Sequence, residues 1–214
     1  MLKLMLASVL SLSLLSCAGF SVTGGPDKVA PPALKAEVLA PTDFARIKSL
    51  LVSPLDFDES ARDSIGMSEV FYHGLMESLA GAGSLRVISA KEAGLREDFS
   101  TVSRAPLAAR AELASRRGID ALLVTTIQTY TERQGSAAAA AVPARVSFAM
   151  ALYMASDLRQ VWKASYFYQD QALSENLFRA GDRLRDGQGP GWRDAEMVLL
   201  EGFKAASRSL KGGR

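Results

Sequence analysis

The sequence predicts an α/β fold: a single mixed sheet of about five strands in the order β-α-β-α-β-β-β, helices packed on it, and C-terminal helices added from about residue 173. Three observations predict it. Short apolar runs alternate with helical stretches as far as Gly118, the pattern of crossover units that place strands parallel. Two further runs, Ala144 to Ala155 and Val161 to Gln169, follow a third, Asp120 to Thr131, with only turns between them, which predicts antiparallel neighbours. The chain closes on apolar residues three and four apart, Ala195, Leu199, Phe203, Ala206 and Leu210, the buried stripe of a helix from about Trp192 to Leu210.

The elements follow in order. Ile47 to Ser53 is an apolar run ended by Pro54, which cannot donate to a sheet ladder. Asp56 to Arg62 reads as a polar loop. A helix follows, with Asp63 or Ser64 as N-cap and Met67, Val70, Phe71, Leu75 and Leu79 as its buried stripe, closed by Gly81 and Gly83. Leu85 to Ser89 is the second strand, and Ala90 to Ser100 is irregular. Pro106 opens a helix rich in Ala, Leu and Arg, which Gly118 stops. Asp120 to Thr131 is β-branched, apolar on both faces at its start and alternating later, as for a strand that runs from the core toward water. Gln134 to Val142 contains five consecutive alanines, too short a run to hold a helix before Pro143, and reads as a hairpin loop. Val146, Phe148, Met150, Leu152 and Met154 share one face of the fourth strand by period two. After a turn at Asp157 to Gln160, the fifth strand sets Trp162, Tyr166 and Tyr168 opposite Phe167. Leu173 to Arg185 reads as a short helix capped by Ser174, and Asp186 to Gly191 as a glycine-rich break before the last helix, whose Glu201 pairs with Lys204 or Arg208.

The start of the chain gives the compartment. Lys3 and an apolar run from Leu4 to Leu15 form a secretory signal peptide over residues 1 to 16, and the run is too short to span a bilayer as a permanent helix. Leu14-Leu15-Ser16-Cys17 resembles a bacterial lipobox. That resemblance implies that Cys17, the only cysteine, is acylated and becomes the new N-terminus. Ala18 at the next position, where lipoproteins kept in the inner membrane commonly carry Asp, implies transport to the outer membrane, on its periplasmic face. Residues 17 to 45, with Gly24-Gly25-Pro26, Pro31-Pro32 and Pro41, then read as the lipidated N-terminus and a tether, and residues 46 to 214 as one domain.

Leu50-Leu51-Val52-Ser53-Pro54-Leu55, a helix, Gly83-Ser84-Leu85-Arg86-Val87-Ile88, and Gly118-Ile119-Asp120-Ala121-Leu122-Leu123-Val124 resemble the TolB amino-terminal domain. The same pattern occurs in CsgG-type secretion lipoproteins, in LpoB-type activators of penicillin-binding proteins, and in a family of envelope lipoproteins of about this length. Asp157-Leu158-Arg159-Gln160-Val161-Trp162 is similar to that group's turn and closing strand, although its turn usually carries a glycine and this one does not. The resemblance covers roughly residues 47 to 164 and implies the fold more than the function.

Chemistry is sparse. His73 is the only histidine and reads as an exposed or partly packed helix residue. No His/Cys set has zinc spacing and no glycine-rich phosphate loop follows a strand, so no catalytic residue, metal or cofactor is expected. With 25 basic and 23 acidic residues, no field points to nucleic acid. Asp56, Asp58 and Glu59 follow the first strand, where loop carboxylates either bind a cation or are simply solvated. Trp162, Tyr166 and Tyr168 form either a recognition face or the inner face of a packed strand. The polar connector after the fifth strand is the candidate partner contact, through Gln169, Asp170, Gln171, Glu175, Asn176 and Phe178. These features predict a non-enzymatic accessory or assembly factor of an envelope machine, held in the membrane by acyl chains and contacting an envelope protein or its own copies. The alternative is a subunit of an oligomeric CsgG-like secretion or export pore.

Overall fold

The computed structural model describes residues 33–80, 85–95, 106–136, 139–169 and 193–212. Its strands are β1 (Ala33–Val38), β2 (Ser49–Val52), β3 (Asp56–Phe57), β4 (Arg86–Ile88), β5 (Ala121–Thr131), β6 (Gln134–Ser136), β7 (Ala139–Val142), β8 (Arg145–Met154) and β9 (Gln160–Gln169). Its helices are α1 (Pro41–Arg46), α2 (Ser68–Leu79), α3 (Leu107–Arg116) and α4 (Ala195–Gly212), with a 3-10 helix over Glu59–Met67. The main sheet runs β1-β9-β8-β5-β2-β4, with β3 also beside β5, and β6 and β7 form a small hairpin of their own.

The sheet is mixed, as the sequence predicts. β2 lies parallel to both β4 and β5. β5, β8, β9 and β1 are successively antiparallel. Two corrections enlarge the expected five strands. The first concerns the tether. Within residues 17 to 45, Ala33–Val38 is an edge strand in full register with β9, from Ala33 opposite Phe167 to Val38 opposite Trp162, and α1 begins at Pro41. Leu34, Ala36 and Val38 alternate with Lys35 and Glu37, a period of two that one-sided burial rewards. The second concerns Asp56, expected in a loop. Pro54 interrupts the first strand but does not end it. Ser53 N–H still donates to Leu123 O at 3.0 Å, and Asp56 and Phe57 resume parallel pairing with Thr126 and Ile127. Four residues on one side span three on the other, so the bulge takes up the proline.

The long helix after this strand is also entered differently. The 3-10 helix precedes α2, and neither Asp63 nor Ser64 caps it; the Ser64 hydroxyl donates to Ala61 O at 2.6 Å. Its stripe is Phe71, Tyr72, Leu75 and Leu79, while Val70 is exposed. Tyr72 replaces Val70 inside because its hydroxyl finds two partners: it donates to Val52 O at 3.0 Å and accepts from Ala90 N–H at 2.8 Å. The turn before β9 places Leu158 at φ 59° without a glycine, with Asp157 Oδ1 accepting from Arg159 N–H at 3.0 Å.

Two hydrophobic clusters sit on opposite faces of the sheet. The larger holds Phe71, Leu75, Leu123, Phe148, Trp162, Tyr166, Leu199 and Phe203, and places α2 and α4 over one face. The smaller is Leu51, Ile88, Ala111, Ala114, Ile119 and Leu122 with their neighbours, where α3 presents alanines to β2, β4 and β5. The buried stripe expected of the last helix is borne out at Ala195, Leu199, Phe203, Ala206 and Leu210. Glu201 pairs with Arg193, not with Lys204 or Arg208. The expected helix over Leu173 to Arg185 and the closing glycines Gly81 and Gly83 lie outside the described residues.

Helix α4 approaches the sheet closely at Gly202. A Cβ there would lie 2.7 Å from Phe148 Cε1 and 2.9 Å from the Tyr166 ring, both rings buried and in contact with a centroid distance of 5.1 Å. Gly74 on α2 meets only the half-buried side chain of Leu200, at 2.1 Å from Cδ2. The two glycines should therefore respond differently to alanine. Gly202→Ala forces ring displacement and should destabilise by about 1–3 kcal/mol. Gly74→Ala requires only a turn of Leu200, offset by about 1 kcal/mol of helix propensity, and should stay within about 1 kcal/mol of the parent. Urea unfolding of the two variants measures the contrast; equal losses would show that α4 does not rest on the Phe148–Tyr166 pair as described.

Candidate functional site: an open sheet face and a free edge

Of the carboxylates expected near the first strand, Asp56 and Glu59 are paired with arginines. Arg110, only 8% exposed, reaches from α3 to the strand break, donating to Ser53 Oγ at 2.7 Å and to both Asp56 carboxylate oxygens at 3.0 and 3.3 Å. A fork of this kind fixes α3 to the β2–β3 bulge. Asp58 N–H donates to Ile127 O at 2.9 Å, and Glu59 pairs with Arg62 at 2.7 Å on the surface. The cation reading of Asp56, Asp58 and Glu59 thus finds no gathered carboxylates, and among the described residues no cluster of His, Cys, Asp and Glu has metal-holding geometry. At the other end of the parallel strands, Asp120 Oδ2 accepts from Lys48 N–H, Ser49 N–H and the Ser49 hydroxyl at 2.8 to 2.9 Å. Burial opposes the ionised form, but these hydrogen bonds outweigh it and hold the Asp120 carboxyl below its ordinary range. Both clusters are joints between elements. His73 stands on the exposed side of α2, 4.0 Å from Glu69.

The aromatic face of the closing strand is an inner face. Trp162, Tyr166 and Tyr168 are buried, and burial pushes the Tyr166 phenol up to about 12. Phe167 is the aromatic that meets water, 45% exposed, with the Arg145 guanidinium 5.8 Å from its ring centre.

What remains available is the reverse face of β1, β9 and β8. Helix α3 covers β2, β4 and the start of β5, and the antiparallel half of that face is left without a helix among the described residues. A groove of about 670 Å³ runs over it, floored by Ala149, Ala151 and Ser165 and flanked by Lys35, Glu37 and Lys163. Lys163 Nζ lies 2.9 Å from Glu37 Oε2 across the β1–β9 pair. The outer side of β1 pairs with no strand among the described residues. Sequence reasoning missed this edge, although its period-two alternation was the signal. Of the expected partner contacts, Gln169 is exposed at the end of β9, opposite Arg145. Asp170, Gln171, Glu175, Asn176, Phe178 and the acylation candidate Cys17 lie outside the described residues. Among the described residues, no helix is long and apolar enough to cross a membrane.

No family model matches the chain, and no curated protein matches it. Solved structures do. A PelC dodecamer from Paraburkholderia phytofirmans is 12% identical with a TM-score of 0.51, over 85% of this chain and 98% of that one. A variant PelC dodecamer from the same organism is 13% identical with a TM-score of 0.50, over 86% of this chain and 100% of that one. The LpoB C-terminal domain from Escherichia coli is 16% identical with a TM-score of 0.36, over 57% of this chain and 83% of that one. The PelC likeness at such identity concerns the fold, which is shared across nearly the whole PelC chain.

The joint at Arg110 makes a directional prediction. Asp56→Ala leaves a buried guanidinium without its carboxylate and should cost about 3–5 kcal/mol. Arg110→Ala leaves a carboxylate that is 24% exposed and can turn toward water, at about 1–3 kcal/mol. Denaturant midpoints of the two variants give the order, and an Arg110→Ala loss larger than that of Asp56→Ala would mean the guanidinium is well solvated without Asp56.

Proposed function

We propose that this chain is an outer-membrane lipoprotein on the periplasmic face, a non-enzymatic accessory or assembly factor of an envelope machine that acts through protein contacts, including contacts with its own copies. The observation that carries the reading is the conjunction of the Cys17 leader with a domain whose antiparallel half, among the described residues, ends on the unpaired edge of β1 beside a face that no helix covers. Two further features support it. Asp56, one of the loop carboxylates weighed as a cation ligand, is engaged as a joint with Arg110, and Asp120 forms a second joint with Ser49. The fold is similar to that of a protein whose structures are dodecamers. The connector from Gln169 to Phe178 belongs to the proposal as a second contact; in sequence it follows β9, the strand that pairs with β1.

The pore reading is weaker. A membrane hairpin needs strands of roughly 9–11 residues with one face toward lipid. β5 and β8 have that length, but their inner faces, with Leu123, Ile127, Phe148 and Leu152, are in the core under the helices.

Cys17→Ser tests the anchor. The variant should lose acyl labelling and leave the outer-membrane fraction as a soluble, folded protein. Retention in that fraction would mean that another contact holds the chain there. Sedimentation of the detergent-solubilised full chain tests the self-contact: assemblies larger than one copy are expected, and a monomer at every concentration would remove that part of the reading.

A further inference from the structure

The edge strand has a property that the proposed self-association does not by itself require. Leu39 N–H donates to Val161 O at 2.8 Å across the Val38–Trp162 pair. In an antiparallel ladder this makes Val38 a non-hydrogen-bonded position toward β9, and the pattern alternates along the strand. The backbone groups of Lys35 and Glu37 therefore point at β9, and those of Leu34, Ala36 and Val38 point outward. Lys35 and Glu37 lie on the open face, while Leu34 and Val38 pack against the core on the other.

We propose that β1 pairs antiparallel with β1 of a second copy, in a two-fold contact centred on Ala36. The proposal rests on the self-association reading and names its contact. Centred there, Ala36 faces its own copy and Leu34 faces the copy's Val38, so every outward backbone group meets a partner. Lys35 then stands directly opposite the copy's Glu37, and Glu37 opposite the copy's Lys35. These fall on non-hydrogen-bonded positions, where facing residues are closest, at about 4.5 Å between Cα atoms. A centre on Lys35 would oppose two lysines, a centre on Glu37 two glutamates, and centres nearer the strand ends leave outward groups unpaired. A two-fold interface must be self-complementary, and the sequence Leu-Lys-Ala-Glu-Val is so about its own middle. Edge charges ordinarily deter pairing with foreign strands. Here they exclude other registers and other edges while favouring a second copy. The sheet would continue across the contact with Glu37 placed between Lys163 of its own chain and Lys35 of the other copy.

The geometry is tested by oxidative cross-linking of the full chain in its native membrane. Ala36→Cys puts two thiols on the two-fold axis at a Cα separation of about 5.5 Å, within the range a disulfide bridges. It should yield a cross-linked dimer. Leu39→Cys, whose two copies would be about 20 Å apart, should not. In sedimentation of the solubilised chain, Lys35→Glu should weaken self-association about tenfold while leaving the unfolding temperature of the dilute monomer unchanged. Lys35→Glu combined with Glu37→Lys should restore it. A dimer trapped at Leu39 as readily as at Ala36, or self-association indifferent to both charge variants, would overturn the β1 contact. If the chain still sedimented as an assembly in that case, the self-association reading would stand with its interface elsewhere. A chain monomeric throughout would remove both.

Discussion

Strand β5 is where the sheet changes sense, and the rest of the molecule follows from that change. Its first residues, Ala121 to Leu123, run parallel to β2, and along its length it runs antiparallel to β8. A parallel strand arrives through a crossover helix and needs cover on both faces; an antiparallel strand can leave one face to water. Leu122 and Leu123 accordingly point into opposite clusters, and both are buried. Beyond β5, alternation replaces two-sided burial along most of each strand. β9 buries Trp162, Ala164, Tyr166 and Tyr168 while exposing Lys163, Ser165 and Phe167.

This asymmetry places the available surface. The parallel half is closed by α3, whose alanines allow a close seat and whose Arg110 is tied to Asp56 across the strand break. Among the described residues, the antiparallel half is covered by helix on one face only, with α4 lying on Phe148 and Tyr166 through Gly202. Among the described residues this leaves, on β1, β9 and β8, a floor of small residues, a band of charges and the outer edge of β1. β1 is the first described element after the proposed leader, so the strand nearest the anchor in sequence is also the strand that offers its backbone.

Much of this was legible in the sequence. The buried strands read as apolar runs because burial on both faces demands it, and the closing strand and last helix read correctly because one-sided burial imposes a clean period. The misses have physical causes. β1 is short and framed by Pro31-Pro32 and Pro41, so composition pointed to a tether while the alternation of Leu34, Ala36 and Val38 pointed to a strand. β3 was concealed by Pro54, because a two-residue resumption after a bulge leaves no periodic signal. Tyr72 entered the core in place of Val70 because two backbone groups from distant segments satisfy its hydroxyl. Arg110 reads as surface charge until Ser53 and Asp56, more than fifty positions earlier, are brought to it. The candidate surface was the least legible part, since an edge is defined by which strand fails to find a neighbour.

The central claim is that β1 offers its outer backbone to another copy, and residue-resolved amide hydrogen exchange tests it most directly. The amides of Lys35 and Glu37 point at β9, so they should be protected in dilute monomer and assembly alike. Those of Leu34, Ala36 and Val38 point outward and should exchange rapidly in the monomer and slowly in the assembly. Outward amides that exchange equally fast in both states would contradict the account.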